Sequence, residues 1–145
     1  MIVTDTMVVA YGLLPHPQFA AEVERLHSTD ARWAVPPEWR SELRSVLLQY
    51  VRAVESGPLT EDLHLEDAFD LMEDAEALLA GRTFRVDSKD VLRIAHESDC
   101  SAYDCEYVAL AQSLDVEVIT YDGGVLEAFP NIAFRPTDFL SQHGD

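Results

Sequence analysis

The sequence predicts an α/β fold, a three-layer sandwich with helices on both faces of a central, mostly parallel sheet. Three observations predict it. Short β-branched runs alternate with longer segments of helical spacing along the chain. The run Ile2 to Thr4 is apolar or β-branched at consecutive positions, as a strand buried on both faces is. Asp5 and Asp122 follow strand-like runs, at the sheet edge where open α/β folds bind ligands.

In order, Ile2 to Thr4 reads as a strand, and Met7 to Leu14 begins a helix or loop before Pro15 and Pro17. Phe19, Val23 and Leu26 carry helical spacing through Gln18 to Leu26. Trp33 to Val35 reads as a strand. A helix is expected from about Pro37 to Val54, because proline suits a first turn where its missing N–H has no partner to lose. Its apolar stripe is Trp39, Leu43, Val46, Leu47, Tyr50 and Val54. Gly57 and Pro58 stop it, and Thr60 caps an acidic helix running from Glu61 to Ala80 with the stripe Leu65, Phe69, Met72, Ala75 and Leu79. Thr83 to Val86 reads as a strand, and Ser88 as the cap of a helix containing Val91, Leu92 and Ala95. A helix from Asp104 to Leu114, a strand from Val116 to Thr120, a helical turn from Val125 to Phe129 and an edge strand from Ile132 to Phe134 complete the alternation. Gln142 to Asp145 reads as a loose tail.

At 145 residues the chain is expected to form one domain with its own core. No apolar run approaches the roughly 20 residues needed to cross a bilayer, and Met1 to Leu14 lacks the basic start of a secretory signal. A cytoplasmic protein is the expectation. Cys100 and Cys105 lack metal or dithiol spacing, and the five histidines are scattered, so zinc hydrolysis and disulfide redox chemistry are not indicated. A net charge of −17 disfavours nonspecific attraction to nucleic acid. The charge is uneven: eight acids and no Lys or Arg lie between Glu61 and Glu76, whereas nine of the ten Lys and Arg residues fall between Arg25 and Arg93.

Asp5, Glu42, Asp104 and Asp122 are the candidate site. Glu42 falls on the apolar face of its helix, where a carboxylate is costly unless it is paired, protonated or bound to a cation. Asp5 and Asp122 follow strands, and Asp104 opens a helix. Taken singly, three of them have an ordinary explanation: a cap for Asp104, a turn before Gly123 and Gly124 for Asp122, an arginine partner for Glu42. Gathered together, four like charges make sense around a divalent cation, and oxygen-only ligation selects Mg²⁺ or Mn²⁺.

The segments IVTDT around Asp5, PPEWRSEL around Glu42, SAYDCEYVALA around Asp104 and VITYD ending at Asp122 resemble a PIN-domain ribonuclease of the VapC toxin type. The resemblance spans Ile2 to about Leu140. It implies a PIN-like α/β/α sandwich and metal-dependent endonucleolytic cleavage of RNA to 5′-phosphate and 3′-hydroxyl ends. It further implies Mg²⁺ or Mn²⁺ on Asp5, Glu42, Asp104 and Asp122, with Thr6 and Thr120 as supporting groups. A cognate antitoxin and a homodimer are the partners it implies, with no membrane association. Two positions depart from the pattern: Met7 stands where a small polar residue is usual, and Gly123 and Gly124 follow Asp122 where a base is frequent.

Arg40 and Arg44, one turn apart, are candidates for phosphate contact at the rim, the competing account being surface ion pairs. Tyr103, Tyr107 and Tyr121 are candidates for base stacking or for the core. The main competing function is a PIN-like binding module that acts through protein contacts without turnover. A receiver-like phosphoacceptor ranks below both, because Asp5 has no acidic neighbour and Lys89 is the only lysine.

Overall fold

The computed structural model describes residues 1–53, 59 and 61–143. Four strands form one parallel sheet: β1 (Ile2–Thr4), β2 (Trp33–Ala34), β3 (Val118–Ile119) and β4 (Ala133–Phe134), in the order β2-β1-β3-β4. The helices are α1 (Thr6–Leu13), α2 (Ala20–Thr29), α3 (Trp39–Arg52), α4 (Leu65–Leu79), α5 (Ser88–Ser98), α6 (Ala102–Leu114), α7 (Gly123–Ala128) and α8 (Pro136–His143), with a 3₁₀ turn at Ala80–Arg82.

Strand alternation divides the core into two layers. Ile2, Trp33 and Ile119 join residues of α1, α2, α3, α4 and α8 on one face. Val3, Ala34, Val118 and Ala133 join α5, α6 and Val125 of α7 on the other. The result is the expected α/β/α sandwich, with β1 at the centre of the sheet and Asp5 at its carboxyl end.

Several elements differ from expectation. Thr83 to Val86 makes only a single parallel bridge, Thr83 with Val35, and Phe84 N–H donates to Val35 at 2.9 Å. Arg82, just before this bridge, donates from its guanidinium to the carbonyls of Trp33 at 2.9 Å and Leu78 at 2.8 Å, tying the end of α4 to β2.

The acidic helix begins at Leu65, where the His64 N–H donates to Asp67 at 2.9 Å; the expected cap, Thr60, lies outside the described residues. Its buried stripe is Ala68, Ala75 and Leu79, which leaves Leu65 and Phe69 exposed. Asp87, not Ser88, caps α5 by accepting the N–H of Lys89. The segment read as a loose tail is helical as far as His143: Pro136 fits the first turn of α8, and Phe139 and Leu140 bury themselves against α2.

Candidate active site

The four acids reach one place because each stands at the start of a helix. Asp5 and Asp122 are the N-caps of α1 and α7, and Glu42 and Asp104 lie in the first turns of α3 and α6. Unpaired N–H groups and the positive end of the helix dipole favour a carboxylate there. Asp5 accepts the Val8 N–H at 3.1 Å and Asp122 accepts the Val125 N–H at 2.9 Å. Asp104 is not itself a cap; Ser101 accepts its N–H at 3.1 Å, which frees the Asp104 carboxylate.

All four line one cleft of about 260 Å³, together with Thr6, Met7, Tyr107, Thr120 and Tyr121. Thr120, buried at the end of β3, donates its hydroxyl hydrogen to Asp5 and accepts the Asp122 N–H at 3.0 Å. Tyr107 donates to Glu42 at 2.9 Å and exchanges a hydrogen bond with Thr6 at 2.8 Å. A Cβ at Gly124 would come within 3.2 Å of an Asp122 carboxylate oxygen, so the glycine leaves that carboxylate room.

The electrostatics record the crowding. Burial pushes the Asp5 carboxyl up to about 6, against the lowering effect of the Thr120 and Val8 bonds, and the charges of Asp122 and Glu42 add to it. Glu42 is raised by burial, with Glu38 and Asp104 contributing, and Asp104 by burial and then by Asp122. Beside them Glu106 is raised to about 7, first by burial and then by its hydrogen bond and charge contact with Glu38. The donor set is entirely oxygen and strongly anionic, which fits a hard divalent cation. Among the described residues no three such side chains form a ready-made cation cage.

A family model of the PIN domain matches residues 2–133. The chain is a PIN-domain protein. Members of this family are in general nucleases. Among solved structures, FitAcB from Neisseria gonorrhoeae is 24% identical, with a TM-score of 0.64 over 94% of this chain and 99% of its own. PAE2754 from Pyrobaculum aerophilum is 15% identical, with a TM-score of 0.70 over 97% and 87%. A toxin–antitoxin complex from Klebsiella pneumoniae is 13% identical, with a TM-score of 0.65 over 94% and 98%. At these identities the likeness is one of fold. No curated protein matches the sequence.

Of the remaining candidates, Arg40, Arg44 and Tyr103 fall outside this PIN-domain cleft, whereas Tyr121 lines it. Arg40 pairs with Glu76, Nη2 to Oε2 at 2.9 Å, and its guanidinium lies 4.8 Å from the Trp39 ring centre. Arg44 is exposed. Tyr121 packs against Tyr11 and Phe19 and donates to Glu22, whereas Tyr103 is 71% exposed. Cys105 is buried and Cys100 half-buried, both free. His16 is buried, its Nδ1 accepting the N–H of Gln18 at 3.1 Å.

Proposed function

We propose that this PIN-domain protein is a divalent-metal-dependent endoribonuclease and the toxin of a type II toxin–antitoxin pair. The observation that carries the reading is the convergence of four carboxylates, from four different helix starts, on one open cleft. Asp5, Glu42, Asp104 and Asp122 would hold Mg²⁺ or Mn²⁺. When bound, the cation supplies Lewis-acid activation of water and neutralises charge on a phosphodiester.

The chain's own residues supply position. Thr120 and the Val8 N–H each hold one oxygen of Asp5, and Asp122 is held by the start of α7. Thr6 supports the opposite wall through Tyr107. No covalent nucleophile is required, and the buried Cys105 is not placed to provide one. Arg44 is assigned the rim contact with phosphate; Arg40, committed to Glu76, contributes less. A protein antitoxin and a homodimer are the assigned partners, the first supported by a structural neighbour that is a toxin–antitoxin complex. Among the described residues no helix is long and apolar enough to cross a membrane.

One observation favours the alternative of a binding module without turnover: Met7 lines the cleft, where a polar side chain would orient substrate better. The chemistry separates the two. An oligoribonucleotide carrying a single 2′-deoxy residue at the preferred site should still be cut, leaving a 5′-phosphate, because activated water does not need the neighbouring 2′-hydroxyl. Cleavage blocked by the deoxy residue would contradict the metal mechanism, and binding without cleavage would favour the module.

A further inference from the structure

We propose that Tyr107 is the positioning residue for Glu42, its phenolic hydrogen fixing the rotamer at which that carboxylate lines the cleft. This rests on the metal-dependent reading of the site. Tyr107 is only 4% exposed, and its ring belongs to the core formed by α5 and α6. Phenylalanine would fill that space equally well. The hydroxyl is what needs a reason, because a buried Tyr O–H must find a partner, and a backbone carbonyl is the usual one. Here the partner is a carboxylate 65 positions away in sequence, at 2.9 Å.

The direction of the hydrogen bonds follows from the donor inventory. A phenol carries one hydrogen and an ionised carboxylate only accepts, so Tyr107 donates to Glu42 Oε1; Thr6, 2.8 Å from the phenol oxygen and also acting on the Glu42 carboxyl, shares its one hydrogen between the two. Thr6 is itself only 6% exposed and follows Asp5 directly. Tyr107 lies three residues after Asp104, on the same side of α6. The relay Thr6 to Tyr107 to Glu42 therefore ties together α1, α6 and α3, the helices whose starts carry three of the four acids. Glu42 needs such a restraint more than Asp5 or Asp122 does, because it caps no helix and, among the described residues, no backbone N–H donates to its longer side chain.

The test is Mn²⁺ binding without RNA, read from the loss of the free-ion electron paramagnetic resonance signal. Wild type, Tyr107→Phe, Glu42→Gln and the double variant are compared, with circular dichroism to check the fold. Residues that orient a metal ligand are typically worth 10- to 100-fold in affinity, so Tyr107→Phe should weaken Mn²⁺ binding by about 10-fold or more. In the Glu42→Gln background the same change should move affinity by less than about 2-fold, because Tyr107 then has no carboxylate left to act through. Thr6→Val, which keeps the volume and removes the donor, should weaken Mn²⁺ binding by a smaller factor with the same dependence on Glu42, and it decides the matter if Tyr107→Phe does not fold.

Unchanged affinity in Tyr107→Phe, or an equal loss in both backgrounds, would overturn the assignment while leaving the metal site standing. A wild-type protein that binds no Mn²⁺ would overturn the metal-dependent reading itself, and the assignment with it.

Discussion

Thr120 donates its hydroxyl hydrogen to Asp5 across 115 positions of sequence, joining the end of β3 to the end of β1. The same oxygen accepts the Asp122 N–H, so one buried threonine sets the separation of two acids on neighbouring strands. This arrangement follows from the parallel pairing of Thr4 with Ile119, which brings both strand ends to one edge.

Thr120→Val should therefore misplace Asp5 without opening the core. The expected result is a loss of about 10- to 100-fold in kcat/KM and in Mn²⁺ affinity, with Thr120→Ser close to wild type. Valine behaving like serine would show that the hydroxyl does not position Asp5.

Asp5→Asn should stabilise the cation-free protein at neutral pH. In the folded state the Asp5 carboxyl sits near 6 instead of 3.8, so the folded form binds the proton more tightly. That contribution is present at pH 4 and lost as pH rises through 6, because ionising Asp5 in the folded protein is costly. Removing the charge should raise stability by roughly 1–3 kcal/mol at pH 7.5, several degrees in Tm, and by nothing measurable at pH 4. Saturating Mn²⁺ should reverse the order, since a cation that binds the folded state stabilises the intact site more. Thermal melts at the two pH values, with and without Mn²⁺, check all three statements.

Arg40 and Arg44 share a helix face but should behave differently. Arg40→Ala breaks the pair with Glu76 and uncovers Trp39, so it should lower stability slightly with a small kinetic effect. Arg44→Ala should leave Tm unchanged and raise KM for RNA several-fold at low salt, an effect that fades as salt screens it. Urea titration and salt-dependent kinetics separate the two; equal behaviour would take Arg44 out of the substrate path.

The acids were legible in the sequence because they break local rules: Glu42 on an apolar helix face, Asp5 and Asp122 after strands. What could not be read was how helix starts, cap bonds and hydroxyls hold them. The pattern from Met7 to Leu14 fits a helix or a loop, so it does not show that α1 starts at Thr6 with Asp5 as its cap. Tyr107 looked like core or a stacking ring, and only the packing of α6 against β1 and of α1 against α3 reveals its hydroxyl beside Glu42. The Glu38–Glu106 contact was likewise invisible, because it joins two helices far apart in sequence.

Misread elements share a physical cause, which is tertiary context overriding local pattern. Thr83 to Val86 has strand composition, but past the bridge of Thr83 with Val35 its neighbours are Pro36 and Pro37, which have no N–H to continue the ladder. The stripe through Leu65 and Phe69 has helical spacing, yet α4 turns its alanines inward, where small side chains permit close packing on α3 and α1. In α8, Phe139 and Leu140 form too short an apolar pair to announce a helix, and α2 supplies the surface that makes one.

The most direct test of the central claim is cleavage of a mixed RNA pool with Mn²⁺, Mg²⁺ or EDTA, by the wild-type protein and by Asp104→Asn purified in parallel. Wild type should cleave with either cation and not in EDTA, and the variant should not cleave at all. Cleavage that persists in EDTA or in Asp104→Asn, or no cleavage by a wild-type protein that binds Mn²⁺, would contradict that claim.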